Sequence, residues 1–121
     1  MRYAPWMPIK ESQIQRAILE YLDRIGRGFL WRNQSTGLYD PTKKTFRAMA
    51  FGQVAGVPDI LGVFEGRFVG IEVKTPIGKV SPNQKIFMEK AKANGAVVFI
   101  ARSIEDVKNG LESGFPGIIL P

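Results

Sequence analysis

Apolar residues near the N-terminus recur with the spacing of an amphipathic helix between Glu11 and Ile25. Counted from Ile14, they fall at i, i+3, i+4, i+7, i+8 and i+11, which puts them on one helical face. Gly26 follows the last of them, and glycine commonly ends helices because it adopts the left-handed conformation easily. The pattern predicts a helix over residues 11–25 whose core-facing stripe contains Ile14, Ala17, Ile18, Tyr21, Leu22 and Ile25.

Runs of strand-forming residues predict several short strands in the rest of the chain. The dipeptide Glu65-Gly66 stands between two of them and predicts a tight hairpin turn. The run AVVFIA is apolar throughout, which is typical of a strand buried on both faces. A segment rich in Gly, Ser, Thr and basic residues predicts a loop at residues 36–44. The predicted strands are residues 29–32, 46–51, 59–64, 67–75 and 96–101.

A second helix is predicted after the hairpin from its start and stop residues. Ser81 is placed to cap its N-terminus, Pro82 stands at the first helical position, and Gln84 completes a capping box. Asn94-Gly95 is expected to end this helix. The helix therefore lies between the hairpin and the apolar run AVVFIA.

A short last helix and a docked tail are predicted at the C-terminus. Ser103 is expected to cap a helix that runs to about Leu111, and the apolar residues within 112–121 predict a tail that packs on the domain. A chain of 121 residues can bury one core without disulfides. We therefore expect one domain over residues 1–121.

Side chains alternate between the two faces of a strand, and in the predicted hairpin apolar residues occupy both sets of positions. Both faces of the hairpin are therefore apolar. We expect helices to cover both faces, so that the chain folds as an α/β domain with one central sheet between helices. Leu61, Val63, Phe68 and Gly70 lie on one face, and Ile60, Phe64, Val69, Ile71 and Val73 lie on the other.

Composition removes several function classes. The chain has no cysteine and no histidine, which excludes thiolate sites, cysteine nucleophiles and the commonest general base. Any metal would be held by carboxylates, carbonyls and water, the ligands that Mg²⁺, Mn²⁺ and Ca²⁺ prefer. No apolar run approaches the roughly 20 residues of a membrane span, and two prolines interrupt the N-terminal segment. We expect a cytoplasmic protein with no membrane partner.

The chain is basic, with a formal net charge of +6 and a pI of about 9.8. Basic surfaces bind nucleic acids by neutralising phosphates and releasing counterions, although many basic proteins simply have a solvated charged surface. Lys43, Lys44 and Arg47, together with Arg32, Lys79 and Lys85, are the candidates for contact with a nucleic-acid backbone.

Three ionisable residues interrupt the apolar hairpin. With the turn at Glu65-Gly66, antiparallel pairing places Asp59 opposite Glu72, with Cβ atoms about 4.5–5.5 Å apart. Lys74 lies two residues after Glu72 and so on the same face. Two opposed, partly buried carboxylates repel each other unless a cation compensates, which a divalent metal and Lys74 would do.

Each of these residues also has a purely structural interpretation. Asp59 is a suitable turn residue after Pro58, and Glu72 with Lys74 suits an exposed ion pair on an edge strand. The three together favour the functional interpretation. Glu11 suits a helix N-terminus by itself, but its place on the apolar stripe favours a third metal-facing carboxylate.

The motif of Pro58-Asp59 followed by Glu72-Val73-Lys74 resembles that of the PD-(D/E)xK nuclease superfamily. The segments KESQIQRAILEYL, WRN, GVPDILG and IEVKTPIGKVSPNQKIF resemble in particular the small stand-alone form of the VRR-Nuc, or virus-type replication-repair nuclease, family. The likeness runs from about residue 10 to residue 107. It implies a restriction-endonuclease-like core with a single mixed sheet flanked by helices.

The resemblance also implies an activity, a Mg²⁺- or Mn²⁺-dependent DNA endonuclease. It assigns Asp59, Glu72 and Glu11 as metal-binding and catalytic acids, and Lys74 as the catalytic lysine. Gln84 becomes a supporting catalytic residue, which the capping box alone would also explain. The carbonyl of Val73 is a further expected metal ligand.

Stand-alone members of the family are similar to homodimers that cut branched DNA, which leads us to expect resolution of four-way Holliday junctions. A nuclease for flaps or other branched or linear DNA in replication or repair is the alternative in the same class. A catalytically silent nucleic-acid-binding module and a basic structural protein with a chance motif are the alternatives outside it. A bacterial or phage origin is expected from the compact form.

Overall fold

The computed structural model describes residues 8–33, 39–40, 45–46 and 51–121. For residues 39–40 and 45–46 it describes the backbone alone. The helices are α1 (Glu11–Ile25), α2 (Pro82–Ala93) and α3 (Ile104–Gly114). The strands are β1 (Phe29–Arg32), β2 (Tyr39–Asp40), β3 (Thr45–Phe46), β4 (Ile60–Phe64), β5 (Arg67–Val73) and β6 (Val97–Ala101). None of the helices in these ranges is long and apolar enough to cross a bilayer.

The main sheet has four strands in the order β1-β4-β5-β6. The β1–β4 and β4–β5 pairs are antiparallel, whereas β5 and β6 are parallel and are connected through α2. Strands β2 and β3 form a separate antiparallel pair. The predicted α/β class with one mixed central sheet flanked by helices is therefore confirmed.

The hairpin of β4 and β5 has the predicted register. Glu65 and Gly66 both have positive φ, 50° and 77°, as the two central residues of a type I′ turn do. Phe64 consequently pairs with Arg67, and Ile60 pairs with Ile71. Continued by one residue, this register sets Asp59 opposite Glu72.

One face of the sheet forms the hydrophobic core with α1 and α3. Of the residues predicted to face inward from α1, Ala17 and Ile25 are half-buried and the other four are buried, and Gly26 ends the helix with φ 64°. Gly110 and Gly114 let α3 approach β6 closely, because an added Cβ would stand 2.6 Å from the Phe99 ring and 2.4 Å from a Val97 methyl. Fully buried residues on the sheet side of this core are Ile60, Phe64, Val69, Ile71, Val73 and Ala101.

The other face of the sheet is only partly covered, so the expectation that helices cover both faces is wrong in part. Helix α2 contacts β6 and reaches Glu72 of β5. On this face, no helix in the described residues lies over β1 and the turn end of the hairpin, because α2 packs near β6, at the opposite edge of the sheet. Phe29, Val63 and Phe68 consequently remain 71%, 48% and 37% exposed.

Several predicted boundaries differ from the structure. The hairpin strands are shorter at the ends near Asp59 and Thr75, while the last helix continues past Leu111 to Gly114. The expected loop at 36–44 contains the short strand β2, paired with β3. Of the strand expected over 46–51, Phe46 is in β3, Phe51 is in a turn, and residues 47–50 lie outside the described ranges.

The C-terminal residues contact the core. Leu120 is buried at 3% exposure, and its backbone N–H donates to Glu112 Oε2 at 2.8 Å. The Tyr21 hydroxyl donates to the carbonyl of Pro121 at 2.9 Å. Ile119 points outward and is 86% exposed. The chain end therefore packs against α1 and α3.

Substitution Gly114→Ala should destabilise the fold by about 1–3 kcal/mol, because the new methyl group would overlap Val97, a buried β-branched residue with little rotamer freedom. Chemical denaturation measures this loss. Ser113→Ala, at an exposed neighbouring position of α3, is the control and should change stability by less than about 0.5 kcal/mol. Equal stability of the two variants would contradict the close packing of α3 on β6.

Candidate active site

Three carboxylates converge at one end of the central sheet. Glu11 is the first residue of α1, Asp59 immediately precedes β4, and Glu72 lies in β5. One carboxylate oxygen from each lies within 4.8 Å of those of the other two. The structure thus brings together the three acids that the sequence placed in one site.

Asp59 is fixed by the strands on both sides of it. Its Oδ2 accepts a hydrogen bond from the backbone N–H of Val73 at 2.8 Å. Its backbone carbonyl accepts another from the N–H of Asn33 at 2.7 Å. Asp59 is therefore held in place although it lies just outside β4.

Glu72 is the buried member of the group, with only 2% of its surface exposed. Its Oε1 accepts a hydrogen bond from Gln84 Nε2 at 2.9 Å. The Lys74 ammonium nitrogen lies 4.0 Å from the same oxygen, and the Lys74 side chain is 12% exposed. One amide and one cation thus face a single carboxylate oxygen.

Gln84 both caps α2 and contacts Glu72. Its Oε1 accepts a hydrogen bond from the N–H of Ser81 at 2.8 Å, and its own N–H donates to Ser81 Oγ at 3.2 Å, which completes the capping box. The amide nitrogen remains to donate to Glu72. The start of α2 therefore orients the side chain that contacts the buried acid.

The electrostatics of the cluster favour a bound cation. Burial raises the pKa of Glu72 to about 9, and a hydrogen bond to Asp59 and the charge of Asp59 add to this, while Lys74 opposes it. Burial also raises the pKa of Glu11, with a further increase from Asp59 and a decrease from Lys74. A single ammonium does not compensate three acids, so a divalent ion would stabilise their charged forms.

The donor set fits a hard divalent ion. Mg²⁺ and Mn²⁺ prefer oxygen ligands, and carboxylates are their usual protein ligands. Three carboxylate oxygens within 4.8 Å of one another would close around such an ion after a modest side-chain adjustment. Glu11, Asp59 and Glu72 are the residues that would hold the ion, and the Val73 carbonyl remains a predicted ligand.

The predicted DNA-contacting residues lie partly around this end of the sheet. Arg32 is exposed at the end of β1, where it pairs with Ile60 beside Asp59. Lys79 is exposed after β5, and Lys85 is exposed in the first turn of α2 beside Gln84. Lys43, Lys44 and Arg47 lie outside the described residues.

Arg102 is a supporting residue that the sequence did not reveal. Its Nη1 donates to the carbonyls of Thr75 and Gly78 at 2.5 and 2.9 Å, and its backbone N–H donates to Asp106 Oδ2 at 2.8 Å. These bonds fix the segment that follows Lys74. An arginine directly after an apolar strand gives no sequence signal for this role, because its partners are backbone carbonyls of a distant loop.

Comparison with known proteins decides the family. A family model described as the VRR-NUC domain matches residues 9–105. The chain belongs to the VRR-NUC family. The resemblance inferred from residues 10–107 is confirmed, and the family implies a nuclease-type domain that acts on nucleic acid. No match was found among curated proteins.

Two solved structures share the VRR-NUC fold with this chain. One VRR-NUC domain is 23% identical with a TM-score of 0.59, over 87% of this chain and 97% of that chain. A second VRR-NUC domain protein is 18% identical with a TM-score of 0.63, over 88% of each chain. At these identities the likeness establishes the fold, while the site residues of this VRR-NUC domain rest on its own geometry.

The buried acid predicts a pH-dependent stability in the metal-free protein. Folded Glu72 keeps its proton up to a pKa of about 9, whereas the unfolded chain releases it near 4.5. Between these values the folded state binds more protons, so this residue's contribution to stability is lost as pH rises.

Glu72→Gln stays neutral and lacks this contribution. In EDTA, the free energy of unfolding of the wild type should therefore fall with rising pH relative to that of Glu72→Gln, as measured by urea denaturation. Curves that stay parallel across this range would contradict a raised pKa for Glu72.

Proposed function

We propose that this VRR-NUC domain is a Mg²⁺- or Mn²⁺-dependent endodeoxyribonuclease that hydrolyses phosphodiester bonds. The observation that carries the proposal is the convergence of the Glu11, Asp59 and Glu72 carboxylates, with Lys74 at 4.0 Å from Glu72. Carboxylate oxygens and a lysine suffice for metal-assisted hydrolysis of phosphodiesters, which requires neither histidine nor cysteine.

Each side chain has a defined task in this proposal. A bound divalent ion would lower the pKa of a coordinated water and neutralise charge on the phosphate. Glu11, Asp59 and Glu72 would hold that ion, and Gln84 keeps Glu72 in one orientation through its 2.9 Å hydrogen bond. The N–H of Val73 does the same for Asp59.

Lys74 is the residue we assign to the reacting groups. Its side chain is largely buried, its ammonium faces Glu72, and the hydrogen bonds of Arg102 fix the loop that follows it. From this position it orients the attacking water or stabilises the charge that develops on the phosphate. Its positive charge also offsets part of the repulsion among the acids.

DNA binding would rest on backbone contacts. Three basic residues are exposed near the end of the sheet where the three carboxylates converge: Arg32, Lys79 and Lys85. The chain as a whole has a net charge of +6. Phosphate contacts position DNA without reading its sequence. Lys43, Lys44 and Arg47 are proposed to contribute in the same way, and Trp31, 43% exposed, is available for stacking.

We further propose that the substrate is branched DNA, that the domain acts as a homodimer on four-way junctions, and that it works in bacterial or phage-infected cytoplasm. The proposal rests on the resemblance to family members that cut branched DNA and on the need for two sites to make two symmetric cuts. Flapped or other branched DNA is the alternative substrate.

Lys74→Ala should lower the rate of metal-dependent cleavage about 100-fold or more while leaving the fold intact, because a charged group at the reacting phosphate is lost. Cleavage of a labelled four-way junction in Mg²⁺, Mn²⁺ or EDTA measures this. Lys108→Ala, which removes the same charge from α3 on the other side of the sheet, should cut at the wild-type rate. Folded wild-type protein that cuts no DNA in either metal would favour a binding module.

The junction and dimer proposals are tested by a substrate panel together with sedimentation. Paired symmetric cuts should appear in the four-way junction and not in linear duplex, flapped or single-stranded DNA, and the protein should sediment as a dimer at micromolar concentration. Preferred cutting of flaps would retain the nuclease and overturn the junction proposal. A monomer would overturn the dimer.

A further inference from the structure

Asn33 lies beside Asp59 in the row of residues that crosses the sheet. Trp31 pairs with Leu61 and Arg32 pairs with Ile60, so the register continues to Asn33 opposite Asp59. The 2.7 Å hydrogen bond from the N–H of Asn33 to the carbonyl of Asp59 agrees with this pairing. Directly opposed residues share one face of the sheet, with Cβ atoms about 4.5–5.5 Å apart. Asn33 therefore flanks Asp59 on the side opposite Glu72.

The amide nitrogen of Asn33 is buried without a hydrogen-bond partner among the described residues. Buried donors are normally paired, and an unpaired one at a site calls for a functional explanation. Because Nδ2 is closed to solvent, water does not satisfy it from outside. An acceptor on a neighbouring side chain would satisfy it after a small side-chain movement.

The carboxylate of Asp59 is the acceptor that the register places nearest. Its Oδ2 has one donor, the N–H of Val73, and a carboxylate accepts several hydrogen bonds. Glu72, on the neighbouring strand β5, already has such a neutral amide donor in Gln84 of α2. A neutral amide suits this task, because a lysine or arginine at the same place would compete with a divalent ion for the carboxylate.

We propose that Asn33 is the positioning residue of Asp59, donating from Nδ2 to the Asp59 carboxylate when that carboxylate holds a divalent ion. Asn33 then does for Asp59 what Gln84 does for Glu72. The inference rests on the proposed metal-dependent function. In this inference Asn33 touches neither the ion nor the DNA. It acts on metal affinity through one ligand, Asp59.

The test uses Asn33→Leu, which has nearly the same shape and no donor. Removing an unpaired buried donor should leave the metal-free melting temperature equal or higher in EDTA. The dissociation constant for Mn²⁺, measured by titration calorimetry without DNA, should rise about 10-fold or more, as it does when a ligand loses its supporting hydrogen bond. Asn109→Ala, exposed on α3, is the control and should retain wild-type affinity.

A double-mutant cycle identifies the ligand through which Asn33 acts. Asn33→Leu should have little further effect on Mn²⁺ affinity in an Asp59→Ala background and its full effect in a Glu11→Ala background. An Mn²⁺ affinity within twofold of wild type, or an equal loss in both backgrounds, would overturn the inference. Wild-type protein that binds Mn²⁺ and cuts no DNA would overturn only the nuclease proposal, whereas wild-type protein that binds no Mn²⁺ would overturn both.

Discussion

The site depends on one buried acid in the middle of the sheet. Glu72 is 2% exposed in β5, between two strands and beneath α2. A carboxylate in such a place is costly unless hydrogen bonds and opposite charge compensate it. Gln84 and Lys74 supply part of that compensation, and Asp59 and Glu11 add further negative charge nearby. Glu72 is stable in this place as a neutral acid, or as a charged member of a cation-binding cluster.

The rest of the fold can be understood as the means of bringing these groups to one point. The type I′ turn fixes the register that sets Asp59 beside Glu72. The capping box aims Gln84 at the same acid, and the apolar stripe of α1 packs on the sheet so that Glu11 stands at its end. Arg102 ties down the segment after Lys74. Elements distant in sequence thus each contribute one side chain.

The parts of the fold and the site that can be predicted are those determined by local sequence patterns. The bounds of α1, the capping box at Ser81 and the pairing of Asp59 with Glu72 follow from helical spacing, cap residues and a two-residue turn, all of which act over a few positions. The exposure of Phe29 and Val63 depends on where α2 crosses the sheet, which no local pattern fixes. The sequence does not indicate the pairing of Asn33 with Asp59 or the supporting role of Arg102 for the same reason, because their partners come from distant strands and loops.

The proposed divalent metal site of Glu11, Asp59 and Glu72 can be observed by anomalous X-ray diffraction from crystals grown at saturating Mn²⁺. We expect a manganese peak within about 2.5 Å of carboxylate oxygens from all three residues. A map from such crystals without a peak between these carboxylates, or with manganese bound only elsewhere on the protein, would contradict this proposal.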